Sequence, residues 1–337
     1  MAPRRTGKND GAGVKTATAL AALVDGVVHG PDRPFSGVAP LARAGADDLA
    51  FADGPLPSDC EAGVLLVRAP IDGRCCVVVP SPRRAFAAAL RALFPEVHEP
   101  GVHPGAVVHP SAKLGKGVVI YPGVHVGADC DIGDHSVIFP NAVLYPGVIL
   151  GPQARVHAGA VLGADGFSYE AGDTGPEKVP QLGGLRVGAR VEVGANACVD
   201  RGALDDTVVG DDCKLDDLVL VAHNVRLGRG VVVAGQAGLA GSATVGDGAL
   251  LGGQAGVSDH AEIGAGARIG AGAGVVGPVP GGETWLGRPA APARRMRRVW
   301  AVVRQLPELW RSQATVEARL ERLERRLDAD EDGNADG

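Results

Sequence analysis

The chain has few large side chains. Trp, Tyr and Phe together make up only 4% of its 337 residues, there are two Met, and 51 positions are Gly. Such a composition would starve an ordinary globular core, so a domain packed around bulky side chains is excluded for most of the chain. Positive charge is not in excess either. The balance of 33 Lys and Arg against 39 Asp and Glu gives a net charge of -6, which argues against a nucleic-acid-binding surface. No apolar run is long enough to cross a membrane, and the stretch from Ala17 to Val24 is short, ends at Asp25 and lacks a cleavage-site pattern. A cytoplasmic protein without a transmembrane segment is expected. The six cysteines, Cys60, Cys75, Cys76, Cys130, Cys198 and Cys213, show no metal-ligand spacing.

What the chain does have is a beat of six. An aliphatic residue recurs at every sixth position from Val102 to Leu162, resumes at Val187, Val193 and Val199, and continues from Val209 to Val275. That period fits neither an amphipathic helix nor an alternating strand, but it is the signature of hexapeptide β-helix repeats. Three hexapeptides make one triangular coil, and each marked aliphatic stacks on its counterpart about 4.8 Å away in the next coil. Gly often follows the aliphatic, as at Gly115, Gly127, Gly133, Gly228 and Gly246, which fits a corner where a Cβ would clash or φ must be positive. Cys130 and Cys213 stand two residues before a marked aliphatic, and both read as small, reduced core fillers. The expected fold is mainly β: a left-handed parallel β-helix with a small amino-terminal α/β domain and carboxyl-terminal helices.

In chain order, residues 1–15 have no apolar pattern and are expected to be disordered. Residues 16–99 mix a helix over ATALAALVDGVV, short strands at LAFADG, GVLLV and CCVVVP, and a helix over AFAAALRALF, which reads as a separate α/β domain. The β-helix spans 100–292. A helical extension is expected over 293–327, with Pro307 opening a second helix, and 328–337 reads as a disordered acidic tail. Val316, Leu320, Leu323 and Leu327 alternate spacings of four and three, a short coiled-coil seam that fits a homotrimer.

The breaks in the beat, at 163–184 and 200–207, are expected to leave the coil as loops carrying polar and aromatic residues that the core does not need. Two histidines sharpen the picture. His223 and His260 are 37 residues apart, close to the 36 of two coils, so they share nearly one face about 10 Å apart. Gly241, one coil beyond His223, brings a backbone N–H to the same place without a side chain. Asp216, seven residues before His223, is available to orient it.

The segment VEVGANACVDRGALDDTVVGDDCKLDDLVLVAHNVRLG, with AGQAGLAGSATVGD and LGGQAGVSDHAEIG after it, resembles the UDP-3-O-acylglucosamine N-acyltransferases of lipid A biosynthesis. GADGF at 163–167, VPQLGG at 179–184 and FSGVAPLARAGADDLAFADG at 35–54 are similar to family motifs as well. The resemblance implies transfer of a 3-hydroxyacyl group from acyl carrier protein to the 2-amino group of a UDP-3-O-acylglucosamine, with no cofactor and no metal. It implies His223 as catalytic base, Asp216 as its supporting acid and Gly241 as the backbone donor to the thioester oxygen. His260, Asn224, Asp165 and Phe167 then bind substrate. Phe51 matches the Phe that stacks on the uracil, whereas Gly54 and Pro57 stand where the family has Asn and Tyr. An acyl groove past His260 is expected over AEIGAGARIGAGAGVVG, where Gly274 leaves it open. Arg294, Arg295, Arg297 and Arg298 are candidates to receive the acidic carrier protein. The alternatives are a coenzyme-A-dependent transferase acting on another nucleotide amino sugar, or a non-catalytic paralogue.

Overall fold

A computed structural model describes residues 16–287 and 293–333, so the expectation of disorder over 1–15 lies outside the described residues. The chain divides into two compact units at Glu99 and Pro100.

The first unit is an α/β domain. Helix α1 (Ala17–Leu23) is capped by Thr16, whose hydroxyl accepts the Ala19 N–H. The helix expected over ATALAALVDGVV ends early, because Asp25 adopts a left-handed φ of 51° and the Gly26 N–H closes back on Ala21 O. The last residues of that stretch instead join strand β1 (Val27–His29). Strands β2 (Gly37–Val38), β3 (Asp48–Phe51), β4 (Val64–Val67) and β5 (Cys76–Val78) follow, then helix α2 (Pro82–Leu93) with Pro82 in its first turn. The sheet order is β1-β5-β4-β3-β2, with only β1 and β5 antiparallel. α1 and α2 bury Leu20, Ala85 and Ala89 with Leu49, Val64, Leu66 and Val77 of the sheet.

The second unit is a parallel β-solenoid of two- to four-residue strands in three sheets. Pairing advances by 18 residues per coil, as in Val126 beside Leu144 or Val233 beside Leu251, so one hexapeptide supplies each wall. The marked aliphatics from Ile120 to Val275 are buried in one continuous column, and Cys130 and Cys213 fill small inward positions within it. Burial raises both thiol pKa values above the ordinary range. The two corner demands fall on different residues. At Gly246 a Cβ would lie 2.5 Å from Ala265 N, so that glycine answers to close coil-to-coil approach. The left-handed φ falls two residues later in the repeat, on Asp129, Asn141, Asn224 and His260 among others.

Both breaks leave the ladder intact. Leu162 pairs with Val199 across the first insertion, and Val187 with Val209 across the second. The first loop carries an antiparallel hairpin of Tyr169–Gly172 and Gly175–Lys178. Past the solenoid, helix α3 runs unbroken from Ala293 to Gly333 with Pro307 inside it, which corrects the expected pair of helices. Proline removes one i to i−4 hydrogen bond, and the turns on either side keep the helix going. The acidic segment from Asp328 to Gly333, expected to be disordered, propagates this helix once it is nucleated upstream. Residues 334–337 lie outside the described residues. Among the described residues no helix is long and apolar enough to cross a membrane.

Candidate active site

The strand Leu220–Val221 delivers His223 to a corner where three segments meet. Val221 is fully buried, and this fixed anchor two residues away leaves the half-buried imidazole little room to wander. Glycine flanks the ring on two sides. A Cβ at Gly166, in the GADGF loop, would lie 2.6 Å from the His223 Cβ, and one at Gly241 would lie 2.7 Å from Nε2. Any side chain at either place would displace the ring.

Asn224 fixes the orientation of that ring. Its φ of 60° turns the corner, and its N–H donates to the buried Thr207 hydroxyl at 2.8 Å. Its amide nitrogen donates to Asp205 O at 3.1 Å, while its Oδ1 accepts from Ala203 N–H at 3.0 Å. The side chain thereby pins the 200–207 loop, and the backbone donor identifies Oδ1 as an acceptor. His223 Nδ1 lies 3.0 Å from this same oxygen, a contact in which Nδ1–H donates; in the neutral ring that tautomer leaves the lone pair on Nε2. The Cε1–Nε2 edge of the ring faces Gly241. The Gly241 carbonyl accepts from His260 N–H at 3.0 Å, while its own N–H has no hydrogen-bond acceptor among the described residues.

His260 is exposed at the corner one coil beyond Ser242, with φ 54°, so its column passes through Asn224 rather than through His223. Asp165 pairs with Lys178 at 2.6 Å, which ties the GADGF loop to its hairpin. Phe167 is 86% exposed and meets only the edge of Tyr169, at 5.0 Å between centroids. Gly274 stands in register with Gly256 and Gly238 on one outer wall, and a Cβ at any of the three would meet open space. Arg294, Arg295, Arg297 and Arg298 are exposed on the first turns of α3.

Two sequence expectations change. Asp216 does not reach His223 within the chain: its Oδ2 accepts from Gly235 N–H at 2.9 Å at another corner. Seven residues amount to one hexapeptide plus one, which puts Asp216 on the preceding wall. The carboxylate whose charge couples to His223 is Asp200, which sequence reasoning missed. Burial, and secondarily Asp165, push its pKa up to about 6, against a lowering by His223. Its signal was its place directly after the inward Val199, whose ladder partner Val221 leads to His223. Phe51, expected to stack on the uracil, is half-buried and packs its ring against Phe86 at 5.0 Å, because α2 lies across that side of the sheet. The cleft in this unit begins at the next residue. It encloses about 390 Å³ between residues 52–56 and 67–71, with Asp53 and Arg68 paired at its rim.

Among the described residues no group of His, Cys, Asp and Glu could hold a metal ion. The site is a half-buried imidazole beside a backbone N–H that has no hydrogen-bond acceptor among the described residues.

Known proteins share these repeats and this fold. The family model for bacterial transferase hexapeptide (six repeats) matches residues 129–164, and the hexapeptide repeat of succinyl-transferase matches 242–276. The solved UDP-N-acetylglucosamine O-acyltransferase of Moraxella catarrhalis shares the fold, with a TM-score of 0.52 and 23% identity over 62% of this chain and 83% of that one. The UDP-N-acetylglucosamine acyltransferase of Bacteroides fragilis gives 0.50 at 26% identity, over 56% and 71% of the two chains. The UDP-3-O-acylglucosamine N-acyltransferase of Delftia acidovorans is 42% identical over 65% of this chain and 70% of its own. That of Nitratidesulfovibrio vulgaris is 39% identical over 93% of this chain and 98% of its own. With likeness running through both units and nearly end to end, the chain is an acyltransferase belonging to the UDP-3-O-acylglucosamine N-acyltransferase family.

Proposed function

We propose that this chain transfers a 3-hydroxyacyl group from an acyl carrier protein thioester to the 2-amino group of a UDP-3-O-acylglucosamine, in the cytoplasm and without a cofactor. The observation that supports this reading is the placement of the His223 ring, with Nδ1 3.0 Å from Asn224 Oδ1 and its Cε1–Nε2 edge toward Gly241; with the proton on Nδ1, Nε2 is free to accept another. The amine nitrogen attacks the thioester carbonyl as Nε2 takes its proton, and the C–N bond forms while the oxygen becomes an anion. The Gly241 N–H donates to that oxygen, a contribution of about 10² to 10³ in rate for one such donor. The C–S bond then breaks and the imidazolium returns the proton to the departing sulfur, so no acyl-enzyme is needed. Base catalysis of this kind contributes about 10² to 10⁴.

In this reading Asp165, Phe167, Asn224 and His260 surround the sugar, and the wall of Gly238, Gly256 and Gly274 takes the acyl chain. The arginines at the start of α3 receive the acidic carrier protein. Val316, Leu320 and Leu323, each about half exposed in the single chain, pack around the axis of a homotrimer. The uridine sits in the cleft beside Asp53 and Arg68, which opens next to Phe51. The test offers the purified protein a UDP-3-O-acylglucosamine with 3-hydroxyacyl carrier protein or with acetyl coenzyme A. Amide formation from the carrier-protein donor supports the proposal; amide from coenzyme A alone, or from neither, contradicts it.

A further inference from the structure

The ladder brings a carboxylate to the base that the proton transfer just described leaves unused. Val199 pairs with Val221, and Ala164 with Asp200, so Asp200 stands one register step from His223 on the adjacent coil and one step from Asp165 on the coil before. Their surroundings differ. Asp165 is matched by Lys178, which Tyr145 and Tyr169 border. Arg201, next to Asp200, turns away and donates to Gly183 O and Pro146 O. Cys198 lies two residues before Asp200 and its thiol pKa is raised, first by burial and then by that carboxylate. Asp200 itself is half-buried and makes no hydrogen bond or ion pair among the described residues. The pairing of Val199 with Val221 brings that carboxylate within one register step of His223, the cationic partner to which its charge couples.

We propose that Asp200 is a positioning residue of the acyl transfer, whose carboxylate steadies His223 through its charge and stabilises the imidazolium that exists between taking the amine proton and returning it to sulfur. Asp200 neither gains nor loses a proton in the cycle. It acts across space, because Nδ1–H is already engaged by Asn224. Partial burial weakens the screening of the pair by water, and the carboxyl's raised pKa of about 6 still leaves it ionised above neutral pH. This inference rests on His223 being the base.

The first measurement needs no substrate. The Asp200 carboxyl carbon is followed by NMR titration in the wild type and in His223→Gln, with its signal assigned by its loss in Asp200→Asn. A midpoint that moves upward in His223→Gln supports the pairing, since losing a nearby cation raises a carboxyl's pKa. An unmoved midpoint overturns it. The second is kinetic. Asp200→Asn should lower kcat at pH 8 about 10-fold or more with both KM values within about twofold, and Asp200→Glu should recover part of the loss. A kcat within about twofold of the wild type in Asp200→Asn overturns the proposal. Were the wild type to turn over none of the proposed substrates, the base assignment would fail while the titration still decided whether the two groups interact.

Discussion

Replacing Gly241 with Ala perturbs the site by a single methyl group, and its effect can be worked out from the geometry. The new Cβ would lie 2.6 Å from His223 Cε1 and 2.7 Å from Nε2, where ordinary contact begins near 3.4 Å. The imidazole must therefore retreat by roughly 0.8 Å, the shortfall of the 2.6 Å contact from 3.4 Å. It cannot do so freely, because Nδ1 is held at 3.0 Å by an Asn224 side chain with its own bonds to the 200–207 loop. A misplacement of about 1 Å at a reacting group costs about 10²-fold in rate, so kcat should fall by a factor of that order. The backbone is not the obstacle, since Gly241 lies outside the left-handed region and alanine fits its conformation. Melting temperature should stay within a few degrees of the wild type, because only a half-buried ring has to turn. Steady-state turnover alongside thermal unfolding is the assay. A Gly241→Ala enzyme with kcat within about threefold of the wild type would refute the claim that Nε2 works from this position.

Other outcomes follow from the same structure. Asn224→Ala should lower both stability and kcat, by about 1 to 3 kcal/mol in the first case, because it leaves the Ala203 N–H, the Asp205 carbonyl and Nδ1–H without their partner; denaturant titration and turnover check this together. Asp200→Asn should raise the melting temperature at pH 8 but not at pH 4. A folded-state pKa raised to about 6 means that folding favours the protonated acid, so native stability falls as pH climbs from the ordinary carboxylate range through 6. Phe51→Ala should act on stability, with a loss of about 1 to 3 kcal/mol through the cavity left beside Phe86 and little change in the nucleotide KM. Gly274→Met should shift the preferred acyl chain to shorter lengths, read as kcat/KM across carrier proteins charged with different chains, because the side chain would occupy the open wall.

The solenoid was legible because its physics is one-dimensional: an inward aliphatic every sixth residue leaves no other arrangement that buries Ile132, Leu144 and Leu239 in one column. His223, Gly241 and the two loops could be placed from the same count, since a coil of fixed length turns sequence spacing into position. Counting failed where a pair lay within a coil or outside the repeat. Asp216 looked close to His223 in sequence but stands on another wall, whereas Asp200 is distant in sequence and adjacent across the ladder. In the first unit no period sets the geometry, so the packing of α2 across Phe51 and the early end of α1 at Asp25 depended on tertiary contacts and one left-handed residue. Pro307 gave a true local signal that the long helix α3 overrides.

The central claim is that His223 is the base that makes an amide on a UDP-amino sugar. Mass spectrometry of the product formed from 3-hydroxyacyl carrier protein and UDP-3-O-acylglucosamine, by the wild type and by His223→Ala side by side, tests it most directly. The expected result is one added N-linked acyl group in the wild type and formation of the same product slower by about 10²-fold or more in the variant, with the fold intact. Equal rates in the two proteins would contradict the account.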